Sequence, residues 1–135
     1  MRLYLDTNIF LDATLPNRLY QQDARLLFNS IASGVAVAYT ASFSIATITY
    51  FLQKAFKEET AAIIEQILTH IEVVDLKRED FIAGHALGFA DLEDAYHYIA
   101  ATKAGRIDYI VTQNAKDFKQ SAIAVIKPAA LLKLL

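Results

Sequence analysis

Three short stretches of this chain set carboxylates beside other polar side chains at spacings that suit chemistry. Asp6 closes the apolar run Leu3-Tyr4-Leu5 and is followed at once by Thr7-Asn8. Asp91-Leu92-Glu93-Asp94 is the densest acidic patch, and Asp91 and Asp94, three positions apart, share a face if the segment is helical. Asn114-Ala115-Lys116-Asp117 comes two residues after Thr112. Each stretch alone has an ordinary structural explanation. Asp is a preferred helix N-cap, which accounts equally well for Asp6. Asp91 with an acid at the third helical position resembles a capping box, and Asn114 suits a cap as well. Caps do not explain why all three stretches should gather at one end of one sheet. Carboxylates within a few ångströms of one another repel, and some must stay protonated unless a cation lies among them. Mg²⁺ or Mn²⁺ is the natural partner, a hard ion that takes carboxylate and water oxygens. Such an ion activates water and stabilises the charge that develops during in-line attack at phosphorus. The chemistry implied is hydrolysis of a phosphodiester or phosphate ester.

Composition narrows the alternatives. The chain has no Cys, which excludes a disulfide framework, a thiolate zinc site and a cysteine nucleophile. A metal must therefore be held by oxygen or by His70, His85 or His97. His70 ends a predicted helix, where its charged form suits the dipole, and His85 has no partner at a ligand spacing. His97 stands between Tyr96 and Tyr98, and three consecutive residues cannot share one helix face, so none of the three histidines is assigned a catalytic role. An apolar content of 55% supplies a substantial core and argues against disorder. The net charge of −2 argues against broad duplex binding, though not against a small site acting on nucleic acid. No apolar run approaches the ~18–20 residues of a membrane span, and an acid at residue 6 interrupts any leader-like segment. The expectation is a soluble, cytoplasmic protein without a membrane partner, one domain over residues 1–135.

Alternating elements position these acids. Arg2–Leu5, Val35–Tyr39, Glu72–Val74, Asp108–Val111 and Ala124–Ile126 read as strands, with Thr7-Asn8 opening a loop or helix after the first. Arg18–Ala32, Ser42–Ala55, Glu59–His70, Arg78–Leu87 and Asp91–Ala104 carry apolar residues at helical spacing, Gly34 and Gly105 suit helix ends, and Pro128 starts a terminal helix. Ser42 and Ser44 read as caps, although hydroxyls near such a site can also touch phosphate. Lys54 and Lys57 read as a solvated face. Strands that are continuous apolar runs, alternating with helices, predict an α/β fold: a parallel sheet of four to five strands covered on both faces. Sites in such sheets form at the carboxyl ends of strands, near the reversal of strand order. That rule selects Asp6, the Thr112–Asp117 segment, and Asp91 and Asp94 from among the acids.

The stretches "LYLDTNIFLD" (Leu3–Asp12), "DLEDAYHYIAATKAG" (Asp91–Gly105) and "YIVTQNAKDF" (Tyr109–Phe118) together resemble the PIN-domain family, in that family's order and over essentially the whole chain. Many small bacterial and archaeal members are VapC-type toxins, Mg²⁺- or Mn²⁺-dependent ribonucleases held inactive by a cognate antitoxin. The resemblance implies a three-layer α/β/α fold, an RNA substrate, an antitoxin partner and a homodimer. It makes Asp6, Asp94 and Asp117 the catalytic, metal-binding acids, with Asp91 an auxiliary ligand. Thr7 and Asn8 match the polar residues after the first acid, Asn8 as a partner that orients a carboxylate. Thr112 and Asn114 match the polar positions before the last acid, and Ser42 joins them as an auxiliary residue.

One departure separates two functions. The family carries a Glu in the helix after the second strand, whereas "ASFSIATITYFLQK" (Ala41–Lys54) contains no acid and places Thr47 at that position. A metal-dependent ribonuclease with a single or weakened metal position is the first expectation. A catalytically degraded domain that binds RNA or protein is the second. A phospho-accepting receiver domain fits less well: Asp75 ends the third predicted strand, but no acidic pair follows the first and Lys116 does not directly follow the fourth. An Asp-x-Asp phosphatase lacks its second acid at Asn8.

Overall fold

The computed structural model describes residues 1–135. Its strands are β1 (Arg2–Leu5), β2 (Val37–Ala41), β3 (Ile71–Val74), β4 (Tyr109–Val111) and β5 (Val125–Ile126). All pair in parallel, in the spatial order β3-β2-β1-β4-β5. The helices are α1 (Thr7–Thr14), α2 (Gln21–Ala32), α3 (Ser42–Phe56), α4 (Thr60–His70), α5 (Arg78–His85), α6 (Leu92–Lys103) and α7 (Pro128–Leu132). Short 3₁₀ turns occupy Lys57–Glu59 and Ala115–Phe118. No helix is long and apolar enough to cross a membrane.

Side chains alternate across a strand, so the sheet has two apolar faces. Leu3, Leu5 and Val111 pack on Ile9 and Phe10 of α1, Leu27 and Ile31 of α2, Ile48 and Leu52 of α3, and Leu131 of α7. Tyr4 and Ile110 face the other way, onto Ala95, Ala100 and Ala101 of α6 and onto Phe89 and Phe118. Three alanines on the inner stripe of α6 let that helix lie close to the sheet.

The chain runs from β1 outward through β2 to β3, then returns to the other side of β1 for β4 and β5. Strand order therefore reverses between β1 and β4, and the crevice at their carboxyl ends is the expected ligand position. Leu5 pairs with Val111 in register, and the Asp6 amide donates to the Val111 carbonyl at 3.1 Å. Asp6 and Thr112 thus emerge side by side. The amino end of the sheet has a different chemistry. There the Arg2 backbone N–H donates to Asp108 Oδ2 at 2.8 Å, and this bond, with help from Arg106, holds the Asp108 carboxyl below its usual range.

Two expected boundaries shift for identifiable reasons. The second strand runs over Val37–Ala41, not Val35–Tyr39, because α2 ends in a cap that uses Val35. Gly34, at φ +84°, takes the left-handed conformation, and the Val35 N–H donates to the Ser30 carbonyl at 3.0 Å. Thr40 and Ala41 instead extend the ladder against Val73 and Val74. The helix expected from Arg18 begins at Gln21, because Asn17 at φ +62° turns the chain before it. After Asp6 the chain forms a helix, α1, where the sequence left loop or helix open.

Candidate functional site

Asp6 and Asp91 occupy equivalent positions, each an N-cap in extended backbone before a helix. Their side chains do different work. Asp91 caps α6, its Oδ1 accepting from the Glu93 amide at 2.8 Å and the Asp94 amide at 3.3 Å. Asp6 makes no cap bond. It is only 5% exposed, and its Oδ2 accepts from the Thr112 hydroxyl at 2.8 Å. A carboxylate turned away from its own helix and fixed by a residue on the neighbouring strand end is not serving helix α1. Thr112 also accepts from the Asn114 amide at 3.1 Å, which ties the last acidic loop to the same point.

Asp94 is the third residue of α6, and its carboxylate does not return to the Asp91 backbone, so the capping-box reading holds for only one of its two bonds. Its carboxyl is pushed up to about 7, by burial first and then by the charges of Asp91, Asp6 and Asp117, with His97 acting in the opposite direction. Acids from three places therefore influence one group: the end of β1, the cap of α6 and the turn after β4. Asp117 lies exposed in the Ala115–Phe118 turn, which the buried Phe118 anchors. No trio of Asp, Glu or His side chains closes into a ready-made ion cage.

Several auxiliary assignments change. Asn8 is exposed and makes no side-chain hydrogen bond, so Thr112 rather than Asn8 orients the Asp6 carboxylate. Asn114 begins the 3₁₀ turn without a side-chain cap bond. Ser42 and Ser44 do not cap α3, whose N-cap is Ala41. Ser42 bonds nothing through its side chain, whereas Ser44 is fully buried and lies 2.9 Å from Thr7 Oγ1. Thr47, one turn further along α3, donates to its own helix at the Phe43 carbonyl, 3.3 Å away.

The residue that sequence reasoning set aside is His97. It is completely buried on the inner face of α6. Nδ1 lies 2.7 Å from the Tyr4 hydroxyl, and Nε2 lies 3.0 Å from Thr7 Oγ1, 3.4 Å from Asp6 Oδ1 and 3.7 Å from Glu93 Oε1. Burial, followed by the nearby Asp6 charge, pushes the Tyr4 phenol well above its usual range. The Tyr4 hydroxyl and Nδ1 form one buried hydrogen bond, while Nε2 faces Thr7 and the two carboxylates. The neighbouring His97 ring also holds Glu93 below the usual carboxylate range. The sequence did carry a signal: Ala100 and Ala101, three and four residues on, are core positions of the same helical stripe.

The division of labour within the acidic patch is open to a direct check. Asp91→Ala should cost about 1 kcal/mol through the lost cap, whereas Asp91→Asn, which caps equally well, should leave the thermal midpoint nearly unchanged. Equal destabilisation by both would show that the charge, not the cap, matters for folding.

Comparisons with known proteins place this geometry in a family. The model of the PIN domain matches residues 2–116. No curated protein matches the chain at the level of sequence. Among solved structures, a chain of VapBC2 from Rickettsia felis, determined bound to a DNA fragment from its promoter, has a TM-score of 0.70 at 18% identity, covering 94% of this chain and 98% of that one. The sarcin–ricin loop cleaving toxin VapC20 of Mycobacterium tuberculosis has a TM-score of 0.62 at 16% identity, covering 80% and 86%. A toxin–antitoxin complex from Klebsiella pneumoniae has a TM-score of 0.67 at 18% identity, covering 93% and 97%. At these identities the shared property is the fold, a parallel sheet between helical layers. With the family model spanning most of its length, the chain belongs to the PIN-domain family.

Proposed function

We propose that this protein is a divalent-metal-dependent endoribonuclease, the toxin of a toxin–antitoxin pair, working in the cytoplasm as a homodimer with an antitoxin protein as its regulator. The observation that carries the reading is the carboxylate of Asp6, buried at the switch point, unused by its own helix and sharing its surroundings with Asp94. The neighbouring solved structures, one named as a sarcin–ricin loop cleaving toxin, one as VapBC2 and one as a toxin–antitoxin complex, support the same class.

The donor set fits Mg²⁺ or Mn²⁺, being made of carboxylate oxygens with no soft ligand. Asp6, Asp94 and Asp117 would hold the ion, with Asp91 beside them through the oxygen that its cap leaves free. Bound there, the ion supplies activation of water and charge stabilisation at phosphorus. The chain's own residues supply the frame. Thr112 fixes one Asp6 oxygen, His97, itself held by Thr7, lies against the other, and the Asp91 cap sets the first turn of α6 from which Asp94 projects. Near neutral pH the Asp94 carboxyl holds a proton where its neighbours' charges are uncompensated. The α3 face contributes hydroxyls, Ser44 and Thr47, in place of an acid, which favours one ion over two.

The absence of that acid, with the absence of a closed three-ligand cage, favours one competitor: a degraded site kept for binding RNA or protein. Calorimetric titration of Mn²⁺ and Mg²⁺ into wild type and Asp6→Asn, followed by RNA cleavage in the same buffers, separates the two. The nuclease reading expects metal binding that Asp6→Asn abolishes and cleavage that appears only with metal. A folded wild type that binds no metal at millimolar concentration would decide for the binding module.

A further inference from the structure

A second polar feature adjoins the acids. The turn between α1 and α2 folds back over α1, because Asn17 takes the left-handed conformation at φ +62°. It leaves a cleft of about 380 Å³, within the ~300–1,000 Å³ range of ligand pockets. Asn8, Asp12, Asn17, Arg18, Tyr20 and Gln113 form its walls. Asn8 and Asp12 stand one turn apart on one face of α1, the helix that Asp6 precedes, and Gln113 directly follows Thr112, which bonds Asp6.

Its charge is arranged in a specific way. Asp12 is a buried carboxylate, 5% exposed, and its Oδ1 accepts from Arg18 Nε at 2.9 Å. Only Nε is engaged. The two terminal guanidinium nitrogens make no hydrogen bond within the chain, so the anchor fixes the guanidinium and leaves free the edge that can grip two oxygens of a phosphate. Arg18 alone is anchored by a buried carboxylate: Arg2 bonds the Arg106 and Ala104 carbonyls, Arg106 pairs with the partly exposed Asp108, Arg25 gives its Nε to the Ala13 carbonyl, and Arg78 makes no side-chain hydrogen bond. The side-chain amides of Asn8, Asn17 and Gln113 make no hydrogen bonds within the chain and can meet base edges or a 2′-hydroxyl. Tyr20 is 43% exposed at the rim, a surface on which a base can stack.

We infer that this cleft binds single-stranded RNA next to the cleaved bond, with the Asp12-anchored Arg18 holding a backbone phosphate and Tyr20 stacking on an adjacent base. The inference rests on the ribonuclease reading above and gives an acidic protein a local means of holding a polyanion. The direct test is fluorescence anisotropy of a fluorescein-labelled, mixed-sequence single-stranded RNA dodecamer in chelator, across a salt series, so that nothing is cut. Arg18→Ala should weaken binding roughly ten-fold, as expected for a lost charged hydrogen bond. It should also reduce the slope of log affinity against log salt by about 0.7, one phosphate's worth. Arg18→Lys retains a cation for Asp12 but not the fork. It should melt like wild type and still bind RNA more weakly, which separates recognition from folding. Tyr20→Ala should weaken binding with the salt slope unchanged. Folded Arg18 variants that bind RNA with wild-type affinity and slope overturn the inference, as does a wild type with no RNA affinity. Cleavage is scored separately with Mn²⁺. An enzyme that cleaves RNA but is indifferent to Arg18 rejects the cleft and keeps the nuclease, whereas Arg18-dependent binding without cleavage does the reverse.

Discussion

Asp94→Asn is expected to reduce metal-dependent RNA cleavage by at least ~10²-fold and, without metal, to raise the thermal midpoint at pH 8. The two effects have one cause. Asp94 sits in the folded protein with its carboxyl pushed up to about 7 by burial and by the charges of Asp91, Asp6 and Asp117, whereas in the unfolded chain it titrates near 3.9. Between these values the folded state holds a proton that the unfolded chain has released, so stability falls as pH rises across that window. Its contribution is fully present below about pH 4 and is lost once pH passes about 7. Asn cannot ionise and removes this slope. Because the side chain is partly exposed and screened by water, the gain at pH 8 should be about 1–2 kcal/mol, well below the unscreened conversion of the shift. That corresponds to roughly 3–6 °C in a domain of this size. Scanning calorimetry at pH 5 and pH 8 checks the sign: the mutant's advantage should grow with pH. Mn²⁺ should close the gap by raising the wild-type midpoint and not the mutant's. A lower midpoint for the mutant at pH 8 would mean that the Asp94 carboxylate is a structural partner.

How much of this arrangement was legible depended on how far away the deciding partner lay. The parallel sheet and the placing of Asp6, Asp91, Asp94 and the Thr112–Asp117 segment at the ends of its elements follow from apolar runs and helical spacing, which are local properties. Singling out Asp6, Asp94 and Asp117 rests on the family resemblance. The choice between cap and functional carboxylate is not local. Asp6 and Asp91 look alike in sequence, each an Asp before a helix. They differ because Thr112, 106 positions from Asp6, takes the carboxylate oxygen that a cap would use. Ser42 and Ser44 were likewise indistinguishable until the start of α3 fixed its phase and turned Ser44 inward to Thr7. The Arg18–Asp12 pair depends on the left-handed turn at Asn17, which a sequence permits but does not announce. For His97 the local rule was sound, but it did not say which of the three side chains would turn inward. Three consecutive residues cannot share a face, and that is why His97 alone of Tyr96-His97-Tyr98 is fully buried.

That burial makes His97→Ala the substitution with the largest expected effect on stability. The imidazole is fully enclosed, with Phe43 at 4.8 Å and Tyr4 at 5.7 Å between ring centroids. Truncation leaves a cavity and strands the Tyr4 hydroxyl without the hydrogen-bond partner it now has at 2.7 Å. Cavity and orphaned hydroxyl together should cost about 3–5 kcal/mol. His97→Phe fills the space but restores neither polar contact, so it should recover only part of the loss. His97→Gln can accept from Tyr4 or donate to Thr7, and should be the mildest of the three. This ordering, read by urea denaturation, distinguishes a hydrogen-bonded strut from a space-filler, for which Phe would be mildest. The same ordering should appear in turnover. His97 joins β1, the start of α1 and α6, the three elements that hold Asp6, Thr7 and Asp94. Loosening that joint should lower kcat for RNA cleavage more than it raises KM, because the acids are displaced while the Arg18 cleft is left intact. A folded His97→Gln protein with unchanged kcat would show that Thr112 alone is sufficient to orient Asp6.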